Sequence, residues 1–283
     1  MKIVAGIVLY NPNIKRLNSN LNAVAPQVDE VILFDNGSDN IKEIRNYLNQ
    51  KDIVYKLKQS NKNKGIAHAL NQICRLAKAE GYKWILTLDQ DTVIYPNLIK
   101  EYSSYLTLPR VAQLSCVYKD RNSTKLKDII ENKIVEVDEC ITSGTLLNLD
   151  ALEEVGGFDE RMFIDYVDFD LCYALKKKEY KTYRIAYVGM LHEIGNITTV
   201  RFFNKKIEIF NQSAFRHYYR CRNFFLFAKR YNLYSLPRAF YMQFKEMVKV
   251  ILYETHKASK LKAMINGTSD GIKMSSRRKN YFD

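Results

Sequence analysis

The sequence predicts an α/β protein built on a mostly parallel sheet and followed by a helical C-terminal extension. The first 115 residues alternate short apolar runs with amphipathic stretches, and 47% of the 283 residues are apolar, which is enough for an ordinary core. The net charge of +13 is unevenly distributed, because residues 1–200 contain 26 basic and 26 acidic side chains and residues 201–283 contain 18 and 5. We therefore predict an α/β domain over residues 1–200 and a basic, aromatic helical extension over residues 201–283.

The alternation of apolar runs and amphipathic stretches predicts alternating strands and helices in the α/β domain. It is typical of a parallel sheet covered by helices on both faces. From residue 116 to 145 the pattern loosens into charged, β-leaning segments, and after residue 200 it becomes helical to about residue 265. The predicted strands are Ile3–Tyr10, Val31–Phe34, Ile53–Leu57, Trp84–Leu88, Ala112–Cys116 and Tyr183–Val188, and the predicted helices are Ile14–Ala25, Ile41–Gln50, Gly65–Gly81, Asn97–Leu106, Leu149–Val155 and Asp168–Lys178.

Cysteine usage and hydropathy exclude several classes of protein. The five cysteines are odd in number and form no CxxC pair, so we expect neither a zinc site nor a disulfide framework, and a reduced, cytosolic chain is favoured. The first apolar run imitates a signal peptide, but it has no small-residue cleavage site and stops at Asn11-Pro12, so we interpret it as a buried strand. No stretch approaches 18 consecutive apolar residues, so no membrane-spanning helix is expected.

The strongest chemical signal is Asp89-Gln90-Asp91, which directly follows an apolar strand. Ligands of open α/β sheets bind at the carboxyl ends of strands, where these two carboxylates are expected to lie. Mg²⁺ and Mn²⁺ take few protein oxygens and complete their coordination with diphosphate oxygens and water. The motif therefore predicts a divalent-metal site, with an ordinary acidic loop as the alternative.

Two weaker signals point to a nucleotide. Asp35 ends another apolar strand, and its carboxylate is suited to accept from the imide N–H of uracil or thymine, while Gly37 permits a tight turn. The alternative is a plain Asx-type turn. Asn63-Lys64-Gly65 opens a helix whose N-terminus is suited to phosphate. Here the alternative is that Asn63 only caps the helix.

These signals occur in a recognisable order with two later motifs. They are followed by Gly156-Gly157-Phe158-Asp159-Glu160 and by Phe163-Ile164-Asp165-Tyr166-Val167-Asp168. Together they resemble the family 2 inverting glycosyltransferases of the GT-A fold, and most of all their bacterial rhamnosyltransferase branch. The resemblance covers about residues 1–230. It implies a Rossmann-like nucleotide-diphospho-sugar transferase, with a nucleotide-sugar half at about 1–91 and an acceptor half at about 92–200.

The resemblance also implies roles for individual positions. Asp168 matches the catalytic base of the family, and His192 matches a histidine that often completes the metal site with Asp91. The implied nucleotide-sugar-binding residues are Asp35, Asn63, Gly65, Ile66, Ala67, Asp89, Gln90 and Asp91, and the implied acceptor-binding residues are Ser143, Gly144, Asp165, Tyr219, Arg222 and Asn223.

One position departs from the family pattern. Many relatives have Glu-Asp where this chain has Val167-Asp168, so the acidic pair is reduced. Asp165 and Asp170 are the candidates for a second charge. Because Asp170 lies two residues beyond Asp168 on a helix, it is expected to point away from the site. Asp168 is the expected base.

The expected chemistry is an inverting sugar transfer. Mn²⁺ or Mg²⁺ on Asp91 would stabilise the leaving diphosphate, and Asp168 would deprotonate the acceptor hydroxyl. The resemblance favours L-rhamnose from TDP-rhamnose as donor and a polyprenyl-diphosphate-linked saccharide as acceptor, in cell-surface polysaccharide synthesis. A UDP-hexose or galactofuranose donor stays open.

Other functional classes fit the sequence less well. The chain has neither GxGxxG after its first strand nor GxxxxGK[ST], the motifs of dinucleotide-dependent enzymes and P-loop proteins. A nucleotidyltransferase would usually carry a Gly-rich basic loop near its start, where this chain has Leu9-Tyr10-Asn11-Pro12. A non-enzymatic nucleic-acid-binding protein would explain the basic, aromatic tail. It would not explain acidic loops on a neutral first region, so no nucleic-acid partner is expected.

The tail predicts a membrane contact. A basic helix with an apolar stripe can lie in a membrane interface. We therefore expect a cytoplasmic enzyme, peripheral on the inner face of the plasma membrane and bound to its anionic surface. The alternative is that the stripe docks on the catalytic domain. The apolar positions are Phe240, Phe244, Val248, Ile251 and Leu252, and the lysines around them are Lys245, Lys249, Lys257, Lys260 and Lys262.

Overall fold

The chain divides into two units in the computed structural model, which describes residues 2–122, 126–193, 195, 198–202 and 205–282. Unit 1 comprises Met1–Phe163, Val167–Glu193 and Asn280–Asp283, and unit 2 comprises Ile164–Tyr166 and Ile194–Lys279. No pattern in the sequence predicts that residues 164–166 belong with the tail. The predicted boundary at residue 200 and the predicted halves 1–91 and 92–200 stay predictions.

The strands of unit 1 form one ten-stranded sheet. In chain order they are β1 (Ile3–Leu9), β2 (Glu30–Asp35), β3 (Tyr55–Gln59), β4 (Trp84–Asp89), β5 (Val93–Ile94), β6 (Val111–Asp120), β7 (Leu126–Lys127), β8 (Ile134–Glu136), β9 (Thr145–Asn148) and β10 (Lys181–His192). Their spatial order is β3-β2-β1-β4-β9-β6-β10-β5, with β7 beside β6 and β8 beside β10. The pairings make β1, β2, β3, β4, β6 and β10 run in the same direction.

This direction sets the location of the site. Because the six parallel strands share a direction, their carboxyl ends meet at one edge of the sheet. The antiparallel strand β9 starts at that same edge, since it pairs with β4 and β6 in the opposite direction. Asp35, Asp89 and His192 are the last residues of β2, β4 and β10, so the topology brings them to one edge.

Helices pack on the apolar strands of this sheet. Strands β1, β2 and β4 are almost continuously buried, as expected for parallel strands covered on both faces. Gly6 in β1 permits close packing, because a Cβ there would lie 2.5 Å from the Ile73 side chain. The helices are α1 (Ile14–Val24), α2 (Ile41–Leu48), α3 (Ile66–Ala79), α4 (Leu98–Ser103), α5 (Leu149–Glu154) and α6 (Val167–Lys177). The predicted α/β class with a mostly parallel sheet is confirmed.

Unit 2 combines a hairpin with three helices. Strands β11 (Thr198–Phe202) and β12 (Lys205–Ile209) pair in antiparallel fashion, and they precede α7 (Ala214–Tyr231), α8 (Leu236–Tyr253) and α9 (Lys257–Lys273). The expectation of helix from residue 201 is therefore wrong over the described strand residues, while 203–204 lie outside the described part. The alternation in Lys206-Ile207-Glu208-Ile209 is a period-two signal that the helical interpretation overlooked.

Helices α7 and α9 approach each other closely. A Cβ on Gly267 would lie 2.2 Å from the Tyr218 carbonyl oxygen, and one on Gly271 would lie 2.3 Å from that of Arg222. Only glycine permits this backbone contact, so the two residues fix the packing of α9 on α7. Within the described part of the chain, no helix has the length and hydropathy needed to cross a membrane.

Candidate active site

Four side chains meet at the carboxyl edge of the unit 1 sheet: Asp89, Thr92, Ser143 and His192. Asp91 lies two residues after Asp89 in the same loop, and we call these five residues the donor edge. The Thr92 hydroxyl lies 2.8 Å from Ser143 Oγ and 2.9 Å from His192 Nδ1. The Asp89 amide donates to Ser143 Oγ at 3.0 Å, and Asp89 Oδ2 lies 3.9 Å from His192 Nδ1. The structure thus brings the predicted metal-binding motif, His192 and Ser143 together.

A buried asparagine holds the loop that carries the two aspartates. Asn20 on α1 is 1% exposed, and its Nδ2 donates to the Asp89 carbonyl at 2.8 Å and to the Thr92 carbonyl at 2.7 Å. Gln90 adds a reciprocal pair, because Tyr10 N donates to its Oε1 and its Nε2 donates to Tyr10 O. Sequence reasoning missed Asn20. The available signal was a polar residue on the buried face of an amphipathic helix, which is stable only when hydrogen-bonded.

The donor set fits a hard divalent cation. His192 uses Nδ1 toward Thr92, so Nε2 is the nitrogen that would meet a metal, and such an outer hydrogen bond is usual for metal-binding histidines. Across the described residues, no three His, Cys, Asp or Glu side chains form a complete metal cage. Mg²⁺ and Mn²⁺ sites with one or two protein ligands plus diphosphate and water do not require one. Asp91 and His192 as ligands of such an ion stay a prediction.

Arginines also lie against Asp91. Arg16 Nη1 is 3.4 Å from Asp91 Oδ2 and 2.6 Å from Glu193 Oε2. Arg121 Nη2 donates to the Asp91 carbonyl at 3.1 Å. Positive charge from these side chains balances the acidic groups of the donor edge, and a metal on Asp91 would compete with Arg16 for the same carboxylate.

The predicted base-binding residue forms a turn. Asp35 is fully buried, and its carboxylate accepts from the amides of Gly37 at 3.3 Å and Ser38 at 3.2 Å. This is the Asx-type turn that the sequence left open as the alternative. Asn63 likewise accepts from Gly65 N at 2.9 Å through its Oδ1. Contact of Asp35 and Asn63 with a nucleotide stays a prediction.

The start of α3, where the sequence predicts a phosphate site, packs against the Phe163 backbone, and nucleotide contact of Gly65, Ile66 and Ala67 stays a prediction. Gly65 has a φ of +91°, and a Cβ there would lie 2.7 Å from the Phe163 backbone. The Ile66 amide donates to the Phe163 carbonyl at 2.7 Å, and Ala67 is fully buried. Because the Phe163 backbone covers this helix start, Gly65, Ile66 and Ala67 have a packing role there. A cavity of about 490 Å³ lies nearby, lined by residues that include Phe34, Ser60, Lys62, Lys64 and His68.

The predicted catalytic base lies in the first turn of α6. Asp168 is half-buried, and its Oδ1 accepts from the Phe169 amide at 2.9 Å. The positive end of the helix dipole stabilises a carboxylate at this position. Asp170 is 1% exposed, and its expected direction away from the site stays a prediction.

The predicted acceptor residues are divided between the units. In unit 1, Ser143 is 3% exposed and its hydroxyl is used inside the donor edge, while the carbonyl of Gly144 accepts from the Tyr102 hydroxyl at 2.6 Å. In unit 2, Asp165 pairs with Arg216 at 3.0 Å. Ser143 and Gly144 are thus engaged in hydrogen bonds inside unit 1, and their acceptor contact stays a prediction.

Asn223 differs most from its predicted role. The Arg222 guanidinium carbon lies 4.5 Å from the centroid of the half-buried Tyr219 ring, so these two side chains stack. Asn223, in contrast, is 0% exposed, and its Nδ2 donates to the carbonyls of Ile164 and Asp165. The predicted acceptor contact of Asn223 stays a prediction, and in the structure this side chain is buried and bonded to the backbone.

Comparison with known proteins identifies the family. A model of the glycosyl transferase family 2 matches residues 5–153. The dTDP-rhamnosyl transferase RfbF of Shigella flexneri is 28% identical over 298 residues, covering 96% of this chain and 95% of that protein.

Solved structures share the fold. The mannosyltransferase PcManGT from Pyrobaculum calidifontis, in complex with GDP-Man and Mn²⁺, has a TM-score of 0.59 at 16% identity over 95% of this chain and 73% of its own. TarS of S. aureus has a TM-score of 0.56 at 15% identity over 97% of this chain, which spans only 44% of that TarS chain. Both likenesses support the GT-A architecture. The chain belongs to glycosyl transferase family 2 and is a glycosyltransferase of the GT-A fold.

Proposed function

We propose that the protein transfers L-rhamnose from TDP-rhamnose, with inversion, to a saccharide carried on polyprenyl diphosphate in cell-surface polysaccharide synthesis. The observation that carries the proposal is the donor edge, with its paired aspartates and oriented His192, in a chain similar over nearly its whole length to a dTDP-rhamnosyl transferase. A UDP-hexose or galactofuranose donor is the alternative.

The chain's own residues divide the chemistry between the two faces of the sugar. Asp91 and His192 would hold Mn²⁺ or Mg²⁺, which when bound stabilises negative charge on the leaving diphosphate. Asp168 accepts the proton of the acceptor hydroxyl as that oxygen attacks the anomeric carbon. A single displacement of this kind inverts the anomeric centre.

The surface of unit 2 supports a membrane-bound acceptor. Phe240 is 44% exposed, Phe244 is 62% exposed and Leu252 is 55% exposed, so this side of α8 presents apolar surface to the outside. Lys245 is exposed beside it. Lys260 does not contribute, because it is 6% exposed and pairs with Glu254 at 2.7 Å. Lys249 is also paired, with Glu246 at 2.6 Å. The exposed Lys245, Lys257 and Lys262 would each contribute about 1 kcal/mol near an anionic bilayer. The enzyme would then work on the cytoplasmic face of the plasma membrane.

Donor preference tests the activity. The purified chain is incubated with TDP-rhamnose, UDP-glucose, UDP-N-acetylglucosamine or UDP-galactofuranose in Mn²⁺, and release of the nucleoside diphosphate is measured without acceptor. We expect slow hydrolysis, fastest for TDP-rhamnose and lost reversibly in EDTA. Faster hydrolysis of a UDP sugar would replace the proposed donor, and full activity in EDTA would remove the metal from the scheme.

Vesicle sedimentation tests the membrane surface. The full-length protein should bind vesicles with anionic lipid at low salt and dissociate as salt is raised. A variant with Phe240→Ser and Phe244→Ser should lose this binding. Ile129→Ser is the matched control, because Ile129 is 66% exposed in unit 1. Wild-type protein that ignores these vesicles at low salt would contradict the membrane contact and favour a soluble acceptor.

A further inference from the structure

Asn223 forms a buried contact that the proposed chemistry does not yet explain. It lies in the middle of α7 with no exposed surface. Its Nδ2 donates to the Ile164 carbonyl at 2.8 Å and to the Asp165 carbonyl at 2.9 Å. Its Oδ1 accepts from Arg222 Nη2 at 3.0 Å. Both amide hydrogens are thus used on two consecutive carbonyls, which fixes the direction of the chain at that point.

The segment that receives these bonds, residues 163–166, has an unfavourable backbone, and we call it the 163–166 bend. The φ angles of Phe163, Asp165 and Tyr166 are 61°, 62° and 64°. Residues other than glycine rarely adopt such angles, and each costs on the order of 1–3 kcal/mol unless the surroundings impose it. Three of four residues in this state require strong external contacts.

Asn223 supplies one of these contacts together with its neighbours on α7. The ring of Tyr166 lies 6.2 Å from that of Phe224 and 5.5 Å from that of Phe227, measured between centroids. These two phenylalanine rings pack against the Tyr166 side chain, while Asn223 is bonded to the backbone of the bend. Removal of the Asn223 amide would leave two carbonyls without their donor and allow the bend to relax toward ordinary dihedral angles.

Such relaxation would move the catalytic group. The bend runs directly into α6 at Val167, and Asp168 is the second residue after Tyr166. A change of dihedral angle immediately before a helix rotates its first turn, and displacement of a reacting group by about 1 Å can cost 100-fold in rate. We propose that Asn223 is a positioning residue that orients Asp168 through the 163–166 bend. This inference rests on the proposed role of Asp168 as base.

Two substitutions separate the functions of the Asn223 side chain. Asn223→Asp keeps the volume and the acceptor for Arg222 but removes the donor to the bend, whereas Asn223→Ala removes both. Both variants should lower kcat on the order of 10- to 100-fold with little change in the KM for donor or in the Kd for TDP. Gln243→Ala is the matched control, because Gln243 is also buried in unit 2 and bonds to Cys221 Sγ at 2.8 Å.

Hydrogen exchange provides a readout that is independent of activity. Amides of residues 163–169 should exchange faster in both Asn223 variants and at the wild-type rate in Gln243→Ala. Unchanged exchange in the bend, or unchanged kcat despite faster exchange, would overturn the inference. An equal loss of kcat in Asn223→Asp and Gln243→Ala would also overturn it, since general loosening of unit 2 would then explain the effect.

The proposed function has its own point of failure. If Asp168→Asn keeps full turnover, the base assignment is wrong whatever the Asn223 variants do. If Asp168→Asn is inactive and the Asn223 variants keep both normal exchange and normal kcat, the base assignment stands and the positioning role alone is wrong.

Discussion

The donor edge and the 163–166 bend are held by the same kind of contact but depend on it differently. In each, a buried asparagine donates from Nδ2 to two carbonyls: Asn20 to the donor edge and Asn223 to the bend. The donor edge also has the ends of β4 and β10 to place it. The bend has three residues with positive φ and no strand of its own. Loss of the asparagine should therefore disturb the bend more than the donor edge.

The largest effect is expected for Asp168, which follows the bend in the first turn of α6. Asp168→Asn removes the group that takes the acceptor proton, and general-base catalysis contributes about 100- to 10,000-fold. Transfer should fall by that factor while TDP binding and thermal unfolding stay near wild type. Steady-state transfer and calorimetric titration with TDP measure the two parts. Loss of TDP affinity together with turnover would make Asp168 structural, and Asp165 the next candidate for the base.

The donor edge should respond with the opposite pattern. Asp91→Asn keeps the size of the side chain but removes the charge that would anchor the metal, and metal stabilisation of a leaving group is worth several kcal/mol. We expect turnover to fall on the order of 100-fold and, unlike in Asp168→Asn, nucleotide affinity in Mn²⁺ to fall as well.

Asp39→Asn is the control for Asp91→Asn, since Asp39 is an exposed acid that follows β2. It should keep both activity and affinity. If Asp91→Asn retains Mn²⁺-dependent nucleotide binding, the pair Asp89 and Asp91 is an ordinary acidic loop, and the donor edge has no metal-binding role.

The two regions also differ in how far the sequence predicts them. The donor edge follows from local patterns: an apolar strand precedes Asp89, and parallel strands bring their ends together. The contact of Asn223 with Asp165 joins residues 58 positions apart, and nothing in the local sequence marks Phe163, Asp165 and Tyr166 as residues with positive φ. The resemblance assigned Asn223 to acceptor binding and did not indicate its contact with the backbone of residues 164 and 165.

The other differences between prediction and structure have separate causes. Gly65 was expected to receive phosphate because glycine opens a helix there, but the Phe163 backbone occupies that space. Strand β9 was missed because it is only four residues long and lies in a loosely patterned region. The helical interpretation of the tail agrees with α7, α8 and most of α9, but it did not resolve them into three helices. It also overlooked the hairpin before them, where apolar residues alternate with charged ones.

A smaller effect is expected from the asparagine of the donor edge. Asn20→Ala removes the donor to Asp89 and Thr92, but the flanking strands still place both residues. We therefore expect about tenfold weaker Mn²⁺ binding in the presence of TDP, measured by electron paramagnetic resonance, with a smaller loss of kcat than in Asn223→Ala. Asn22→Ala, on the exposed side of α1, is the control. A larger kcat loss for Asn20→Ala than for Asn223→Ala would show that the donor edge depends on its asparagine more than the bend does.

The smallest expected effect concerns pH and the helix that holds the bend. His217 lies on α7 like Asn223, is 5% exposed, and contacts Glu254 at 3.1 Å, which in turn pairs with Lys260. Burial lowers the pKa of His217 below its usual 6.5, and nearby Arg220 and Lys260 add to this, against the hydrogen bond to Glu254. His217 therefore binds a proton more weakly in the folded chain than in the unfolded chain. The free energy of unfolding consequently decreases as pH falls below about 6.5.

This acid sensitivity should reach the bend before the donor edge. Burial alone would raise the pKa of Glu254, but its bonds to Lys260 and His217 lower it, so its contribution is lost only below the usual glutamate range. Between pH 7.5 and 5.5 the change therefore belongs to His217, and one unit of pKa corresponds to about 1.4 kcal/mol. Hydrogen exchange should rise in α7 and the 163–166 bend over this interval while the amides of β4 stay protected. His217→Gln should remove most of the pH dependence. If amide exchange in β4 rises equally, acid loosens both regions alike, and the donor edge and the bend do not differ in acid stability.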